Sequence, residues 1–247
     1  MHDYSAPGRL PIRRHRRISR RMEHALIYDC DGTLIDSEHI AGSVCAEALT
    51  SIGVPTTMEA FNARFNGVPA VKVWEVLRAE IPFPLPEGFN DAINAEIYRR
   101  YDDELHPIPG VTEAVETIGG NRAVASSTNL KRLKLNLEKT GLAPLFDPHI
   151  YSATQVKRGK PSPDVFLYAA SQIGVDPAHA IVIEDSVAGV MAGLRAGMRV
   201  IGFHGASNGI PDLDARLAAA GAIEVIDRMA DLPAAVERTL RNTGRKS

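Results

Sequence analysis

Short apolar stretches alternate with helical patterns through the second half of the chain, and this alternation restricts the possible folds more than any other feature. The strand candidates are 123–126, 149–152, 180–184 and 199–202, with a weaker one at 224–226. The helical patterns lie at about 112–118, 129–140, 163–173, 187–196 and from 231 onward. Strands that alternate with helices predict βαβ units and a parallel sheet. The carboxyl ends of such strands meet at one edge, where functional loops are expected.

A helical segment interrupts this pattern directly after a first buried strand at 25–29. The residues from 37 to 103 have helical periodicity and no strand pattern. We therefore predict an α/β fold with a Rossmann-like parallel sheet core and an inserted α-helical cap domain. The predicted bounds are 23–38 and 105–247 for the core and 39–104 for the cap.

The charge of the chain is unevenly distributed. Residues 1–21 contain seven arginines and one acid, Asp3, so the rest of the chain carries 21 basic and 29 acidic side chains, a net charge of −8. An arginine-rich arm can contact nucleic acid or another anionic surface. The alternative is a disordered extension over 1–22, or a start codon upstream of a true start at Met22. We favour this alternative, so nucleic acid is not an expected partner.

The composition is that of a globular protein, with 45% hydrophobic and 23% charged residues. No apolar run reaches the ~20 residues that a transmembrane helix needs, so no membrane association is expected. Cys30 and Cys45 form neither a disulfide framework nor a metal-ligand spacing. Cysteine usage of this kind favours a reducing, cytoplasmic location.

Two aspartates one residue apart, Asp29 and Asp31, follow the first strand in the stretch DCDGT. Such a pair alone is typical of a solvated turn or a helix cap. Here it directly follows a buried strand, where two like charges repel each other unless a cation or a proton is present. Mg²⁺ prefers oxygen ligands, and the Asp29 carboxylate and the Asp31 backbone carbonyl offer them.

The stretch IVIEDSVAGV repeats this arrangement at a second strand end. Glu184 and Asp185 follow the apolar run 181–183, and Ser186 is a candidate cap for the next helix. The two acids alone are also explained by the dipole of that helix. Because they lie beside a second acidic strand end, we favour a metal site.

Two further sets of residues each have two alternative interpretations, one structural and one chemical. Ser126, Ser127 and Thr128 end a predicted strand, where hydroxyls either cap the following helix or hold a phosphate oxygen together with free N–H groups. Lys160 lies between Gly159 and Pro161 and is either solvated or placed to neutralise an anion and a carboxylate together.

The motifs DCDGT, ASST, GKPSPD and IEDSVAGV, in this order, resemble those of the haloacid dehalogenase superfamily. The likeness covers about residues 23 to 240, and the helical insertion resembles the subgroup that has a helical cap. Within the superfamily, the chain is similar to the sugar-phosphate phosphatases and to the β-phosphoglucomutase-like subgroup.

The resemblance implies a role for each motif residue. Asp29 is the implied nucleophile that forms an aspartyl-phosphate, and Asp31 the acid and base for the leaving oxygen and the attacking water. Ser126 and the N–H of Ser127 are expected to hold phosphate oxygens. Lys160 is expected to bind phosphate and to keep Asp29 ionised. The implied Mg²⁺ ligands are Asp29, the carbonyl of Asp31, Asp185 and Glu184, the last as a direct ligand or as support.

Differences from particular members of the family narrow the range of activities that the resemblance implies. Dehalogenases lack an aspartate two residues after the nucleophile, so Asp31 argues against dehalogenation. The β-phosphoglucomutases carry a histidine twelve residues after the nucleophile and an arginine three residues after the glycine of their cap loop. Here these positions are Ala41 and Ala70, which favours hydrolysis. In the same loop, Arg64 and Asn66 are candidates for substrate contact, with solvated helix ends as the alternative.

We therefore expect a cytoplasmic, Mg²⁺-dependent phosphatase that acts on a small phosphorylated metabolite, either a sugar phosphate or a phosphorylated sugar acid. The alternatives are a β-phosphoglucomutase-like phosphotransferase and a phosphoglycolate phosphatase. A non-enzymatic binding protein is less favoured, because a binder has no need for both Asp29 and Asp31. A monomer or a weak dimer is expected.

Overall fold

A parallel six-stranded sheet forms the centre of the computed structural model, which describes residues 24–65, 68, 70–205 and 210–241. The strands are β1 Ala25–Tyr28, β2 Asn121–Ser126, β3 Ile150–Ser152, β4 Ala180–Glu184, β5 Arg199–Phe203 and β6 Glu224–Ile226. Their order in the sheet is β3-β2-β1-β4-β5-β6. Strand β1 is therefore central and pairs with both β2 and β4, so the three motif-bearing strand ends are neighbours.

The first four helices after β1 pack on one another. They are α1 Glu38–Ser51, α2 Met58–Phe65, α3 Ala70–Glu80 and α4 Phe89–Glu104. A separate apolar cluster joins them, and its buried members include Val44, Leu49, Trp74, Leu77 and Ile93. These helices form the inserted cap.

The remaining helices cover both faces of the sheet. They are α5 Val111–Ile118, α6 Leu130–Lys139, α7 Ala143–Phe146, α8 Asp164–Ile173, α9 Val187–Arg195, α10 Leu213–Ala220 and α11 Leu232–Arg241. Because side chains alternate along a strand, Leu26 and Tyr28 contribute to one apolar cluster and Ile27 to the cluster on the opposite face. Burial on both faces explains why the central strands are continuous apolar runs rather than alternating ones.

Two helices were not predicted from the sequence. Helix α7 has only four residues, which is too short for a periodic pattern. Helix α10 buries Leu213 and Leu217, a single pair of positions on an otherwise exposed helix. One such pair is too weak a signal for a helix to be recognised. The other predicted strands and helices lie within a few residues of the observed ones.

Arg132 of α6 connects the core to the last cap helix. Its guanidinium carbon lies 4.5 Å from the ring centroid of Tyr98 and 5.2 Å from that of Tyr101. It also donates a hydrogen bond to the Tyr98 carbonyl at 3.2 Å and lies 3.6 Å from Asp102. Helix α4 is thus attached to the core where the cap ends.

In the part of the chain that the structure describes, every helix is too short or too polar to cross a membrane. The arginine-rich segment, for which both a nucleic-acid contact and a disordered extension were considered, lies outside the described residues.

Candidate active site

Asp29 extends β1 by one residue into the loop at the carboxyl edge of the sheet. Its backbone N–H donates to the Ile183 carbonyl of β4 at 2.9 Å, and its side chain is buried. Gly32 then turns the chain with a φ of +77°, and a β-carbon there would lie 2.1 Å from Oδ2 of Asp185. Only glycine permits both this backbone conformation and this approach, which explains the DGT sequence.

Lys160 lies between two carboxylates. Its Nζ contacts Oδ1 of Asp29 and lies 2.6 Å from Oε1 of Glu184, and all three side chains are buried. The ammonium also lies 4.8 Å from the ring centroid of Phe166. Burial opposes the charge on Lys160, but Asp29 and Glu184 outweigh this effect and raise the pKa of Lys160 above its ordinary value. Lys160 is therefore a fixed cation beside Asp29.

Glu184, the last residue of β4, and Asp185, which follows it, have different environments. In Glu184, Oε1 accepts from Lys160, while Oε2 accepts from the backbone N–H of Ser186 at 2.8 Å and from its hydroxyl at 2.9 Å. Among the described residues, Asp185 accepts one hydrogen bond, a long one of 3.5 Å from the Thr33 hydroxyl. Both carboxylates are buried, so Glu184 is fully bound and Asp185 retains free acceptor capacity.

Asp31 is held by hydroxyl groups. Ser37 donates to its Oδ1 at 3.0 Å, and Thr128 and Ser126 donate to its Oδ2 at 2.7 and 3.3 Å. These hydroxyls are available because Asn129, not a serine or threonine, caps helix α6. The structure thus brings Ser126 to Asp31, while Ser127 is exposed at the cavity wall.

The acidic cluster fits a divalent cation. One carboxylate oxygen from each of Asp29, Glu184 and Asp185 lies within 4.8 Å of the other two. Burial raises the pKa of Asp29 to about 8; Lys160 lowers it, and Glu184 and Asp31 add to the rise. Burial likewise raises the pKa of Asp185 well above its ordinary range, and Glu184 and Asp29 add to the effect. The one ammonium group, that of Lys160, does not compensate the repulsion among these carboxylates. A hard cation such as Mg²⁺, which prefers oxygen ligands, would compensate it.

The structure does not place the two cap residues proposed for substrate contact, Arg64 and Asn66, in the cavity wall that it describes. Arg64 is about half exposed and pairs with Glu80, outside the cavity. Asn66 lies outside the described residues. The sequence motifs assign no individual role to Thr128 and none to Glu38, although both line the cavity. Thr128 belongs to the hydroxyl run after β2, and Glu38 to the acidic residues after DGT, so both had a weak signal in the sequence.

A cavity of about 520 Å³ lies between the sheet edge and the cap. The residues of all four motifs line it, namely Asp29, Asp31, Ser126, Ser127, Lys160, Glu184 and Asp185. Its volume is within the range of small-molecule sites. A carboxylate beside a fixed ammonium, with a second carboxylate two residues along the chain, is suited to nucleophilic attack coupled to proton transfer.

Comparison with known proteins agrees with this geometry. A phosphorylated carbohydrates phosphatase of Thermotoga maritima is 33% identical over 207 residues, which cover 82% of this chain and 93% of that protein. A 6-phosphogluconate phosphatase of Escherichia coli is 29% identical over 180 residues, which cover 72% and 81% of the two chains. The crystal structure of a conserved haloacid dehalogenase-like protein from Agrobacterium tumefaciens superposes with a TM-score of 0.83 at 40% identity, covering 87% of this chain and 98% of the other.

The family model described as haloacid dehalogenase-like hydrolase matches residues 26–203, which include all four motifs and the inserted cap. The chain belongs to the haloacid dehalogenase-like hydrolases.

Proposed function

We propose that the protein is a Mg²⁺-dependent phosphomonoesterase that releases phosphate from small phosphorylated metabolites of the sugar-phosphate type. The observation that carries this proposal is the buried contact of Lys160 with both Asp29 and Glu184, beside Asp31. The relatives support it, because they are named as phosphatases of phosphorylated carbohydrates and of 6-phosphogluconate. Cys30 and Cys45 are buried free thiols, which supports a cytoplasmic location.

The chemistry divides into two displacements at phosphorus. In the first, a carboxylate oxygen of Asp29 forms a bond to phosphorus while the bond to the leaving oxygen breaks, and Asp31 gives its proton to that oxygen. In the second, water attacks the aspartyl-phosphate, its proton passes to Asp31, and the bond between phosphorus and Asp29 breaks. The two steps release an alcohol and inorganic phosphate and restore both carboxyl groups.

The remaining polar residues of the site position the phosphate group and neutralise its charge. We assign Lys160 to a phosphate oxygen and to Asp29, and Ser126 and the N–H of Ser127 to further phosphate oxygens. Asp29, Asp185 and the Asp31 carbonyl would hold Mg²⁺, which supplies positive charge to the phosphate. Because both oxygens of Glu184 are already bound, we assign Glu184 to the positioning of Lys160 rather than to the cation.

Phosphate release from a panel of sugar phosphates and phenyl phosphate, with Mg²⁺ or with a chelator, tests the proposal. We expect Asp29→Asn to abolish turnover and Asp31→Asn to slow it by a factor on the order of 10² to 10⁴. The exposed Asp227→Asn is the matched control and should retain full activity. Radiolabelled phosphate should become attached to the wild-type protein during turnover and not to Asp29→Asn. Substantial activity in Asp29→Asn would contradict the covalent mechanism.

A further inference from the structure

The cavity has two chemically different halves. The half formed by the core contains the carboxylates, hydroxyls and ammonium described above. The half formed by the cap is lined mostly by apolar side chains from α1 to α4, among them Phe61, Phe65, Val71, Trp74, Ile93 and Ile97. Since the phosphate must lie at the core residues, the leaving group must lie against this apolar wall.

None of the described cationic side chains of the cap lines the cavity. Arg64 pairs with Glu80, and its guanidinium lies 4.7 Å from the ring centroid of Phe65. Lys72 pairs with Glu75 at 2.7 Å, on the exposed side of α3. Among the described residues that line the cavity, Lys160 is the one cation, and it is bound to Asp29 and Glu184. A negative charge on the leaving group therefore has no partner in the described wall.

The acids of the cavity add repulsion to this lack of a partner. Asp29, Asp31, Glu38, Glu184 and Asp185 all line it. Glu38 lies where the core half meets the cap half, since it is the first residue of α1. A second anionic group on the substrate would approach these carboxylates in a cavity that is partly closed to water, where repulsion is screened weakly.

Polar partners for hydroxyl groups are also few on the cap side. Of the described residues there, Glu38 and Asn94 offer free polar side-chain atoms. The Ser37 hydroxyl is bound to Asp31, and the Tyr101 hydroxyl faces the Ser37 carbonyl at 3.5 Å. Glu38 and Asn94 can therefore bind hydroxyl groups, whereas a carboxylate on the leaving group would find the Asn94 amide as the one free donor of these two side chains.

We propose that the preferred substrates are phosphomonoesters of uncharged sugars and sugar alcohols, and that leaving groups with an anionic group of their own are rejected. This inference rests on the phosphatase function proposed above and specifies its substrate class. It distinguishes this chain from the relative named for 6-phosphogluconate, whose leaving group carries a carboxylate.

Three esters of equal chain length test the inference: n-hexyl phosphate, sorbitol 6-phosphate and 6-phosphogluconate. Each is a primary ester of a six-carbon chain, so they differ in hydroxyl groups and in one carboxylate rather than in the bond that breaks. We expect kcat/KM for 6-phosphogluconate to be at least about tenfold lower than that for sorbitol 6-phosphate, and n-hexyl phosphate measures the contribution of the hydroxyl groups. Phenyl phosphate serves as the general phosphatase substrate.

The outcomes separate the two proposals. Equal or higher kcat/KM for 6-phosphogluconate than for sorbitol 6-phosphate would overturn the inference and leave the phosphatase intact. Hydrolysis of phenyl phosphate without hydrolysis of any six-carbon ester would also overturn it. Failure to hydrolyse any ester, phenyl phosphate included, would overturn the phosphatase itself and this inference with it.

Val71 offers a test by substitution, because it lines the cavity and is 74% exposed, so a longer side chain fits without disturbing the cap. Val71→Lys places a cation on the apolar wall. We expect the ratio of kcat/KM for 6-phosphogluconate to that for n-hexyl phosphate to rise about fivefold, the size of a favourable exposed ion pair. Val71→Gln is the uncharged control and should not raise that ratio; an equal rise in both variants would contradict the charge argument.

Discussion

Glu38 is a carboxylate of the cavity to which the sequence motifs assign no role. It is half-buried, and burial together with the charges of Asp31 and Asp36 raises its pKa to about 7. An acid with a raised pKa binds its proton more tightly in the folded than in the unfolded protein. Its contribution to stability is therefore present at low pH and is lost as the pH rises from the ordinary value for glutamate to about 7.

The upward shift of the Glu38 pKa predicts how the stability of the metal-free protein, kept in a chelator, depends on pH. The wild-type free energy of unfolding should fall between pH 5 and pH 8, and Glu38→Gln should reduce that fall by on the order of 1–2 kcal/mol, because the neutral amide does not titrate. Urea unfolding at several pH values measures the effect. Glu116→Gln removes an exposed carboxylate of α5 and should leave the pH dependence unchanged. A wild-type slope retained in Glu38→Gln would exclude this carboxylate as the source.

Helix α9 shows how an element of structure positions the site. Ser186 caps it by accepting a hydrogen bond from the Gly189 N–H at 3.0 Å, and the same serine donates to Glu184. A β-carbon at position 189 would lie 1.7 Å from Oε1 of Glu184, the oxygen that binds Lys160. The first turn of α9 therefore depends on glycine to leave room for the carboxylate that holds Lys160.

Replacement of Gly189 by alanine should consequently reverse the usual effect of that change in a helix. Helix propensity alone would stabilise the protein by about 0.5–1 kcal/mol. Because Glu184 must move, we expect instead a lower Tm and a loss of kcat on the order of 10²-fold. Gly159→Ala is the matched control beside Lys160, since its β-carbon would lie an ordinary 3.8 Å from Cβ of Ala153. A Gly189→Ala protein with raised Tm and full activity would contradict this account.

At the scale of the whole molecule, the acidic cluster joins loops from separate strands of the core. Asp29 follows β1, Glu184 ends β4 and Asp185 follows it, so their carboxylates meet only in the folded chain. Their mutual repulsion destabilises the metal-free fold, and a bound cation would relieve it. A ligand that binds the folded state alone stabilises the whole protein by mass action.

Mg²⁺ should therefore raise the Tm of the wild-type protein by about 5 °C or more at saturating concentration. Asp185→Asn should show the opposite pattern: a higher Tm than the wild type in chelator, because one repelling carboxylate is gone, and little further gain on addition of Mg²⁺. Thermal unfolding with and without Mg²⁺ tests both statements, with Asp227→Asn as the exposed control. A full Mg²⁺ response in Asp185→Asn would exclude this residue from the cation site.

Much of the fold and of the site was predictable because it depends on local pattern. The buried runs before Asp29 and Glu184 predict strands, and parallel strands place their carboxyl ends along one edge. In the structure, the central position of β1 between β2 and β4 brings Asp29, Ser126 and Glu184 together. The insertion of helices after β1 was equally visible, because helical and strand periodicities differ.

The sequence by itself thus determined the parallel sheet, the inserted helices and the edge where the acids gather, since each follows from periodicity and chain order. Only the tertiary structure decided which partner each charged side chain takes. Arg64 pairs with Glu80 instead of reaching the cavity, Glu184 binds Lys160 and Ser186 with both oxygens, and Thr128 contacts Asp31. Ion pairs and hydrogen bonds require atoms to approach within a few ångströms, and such distances between residues far apart in the chain depend on the packing of whole elements rather than on any local pattern.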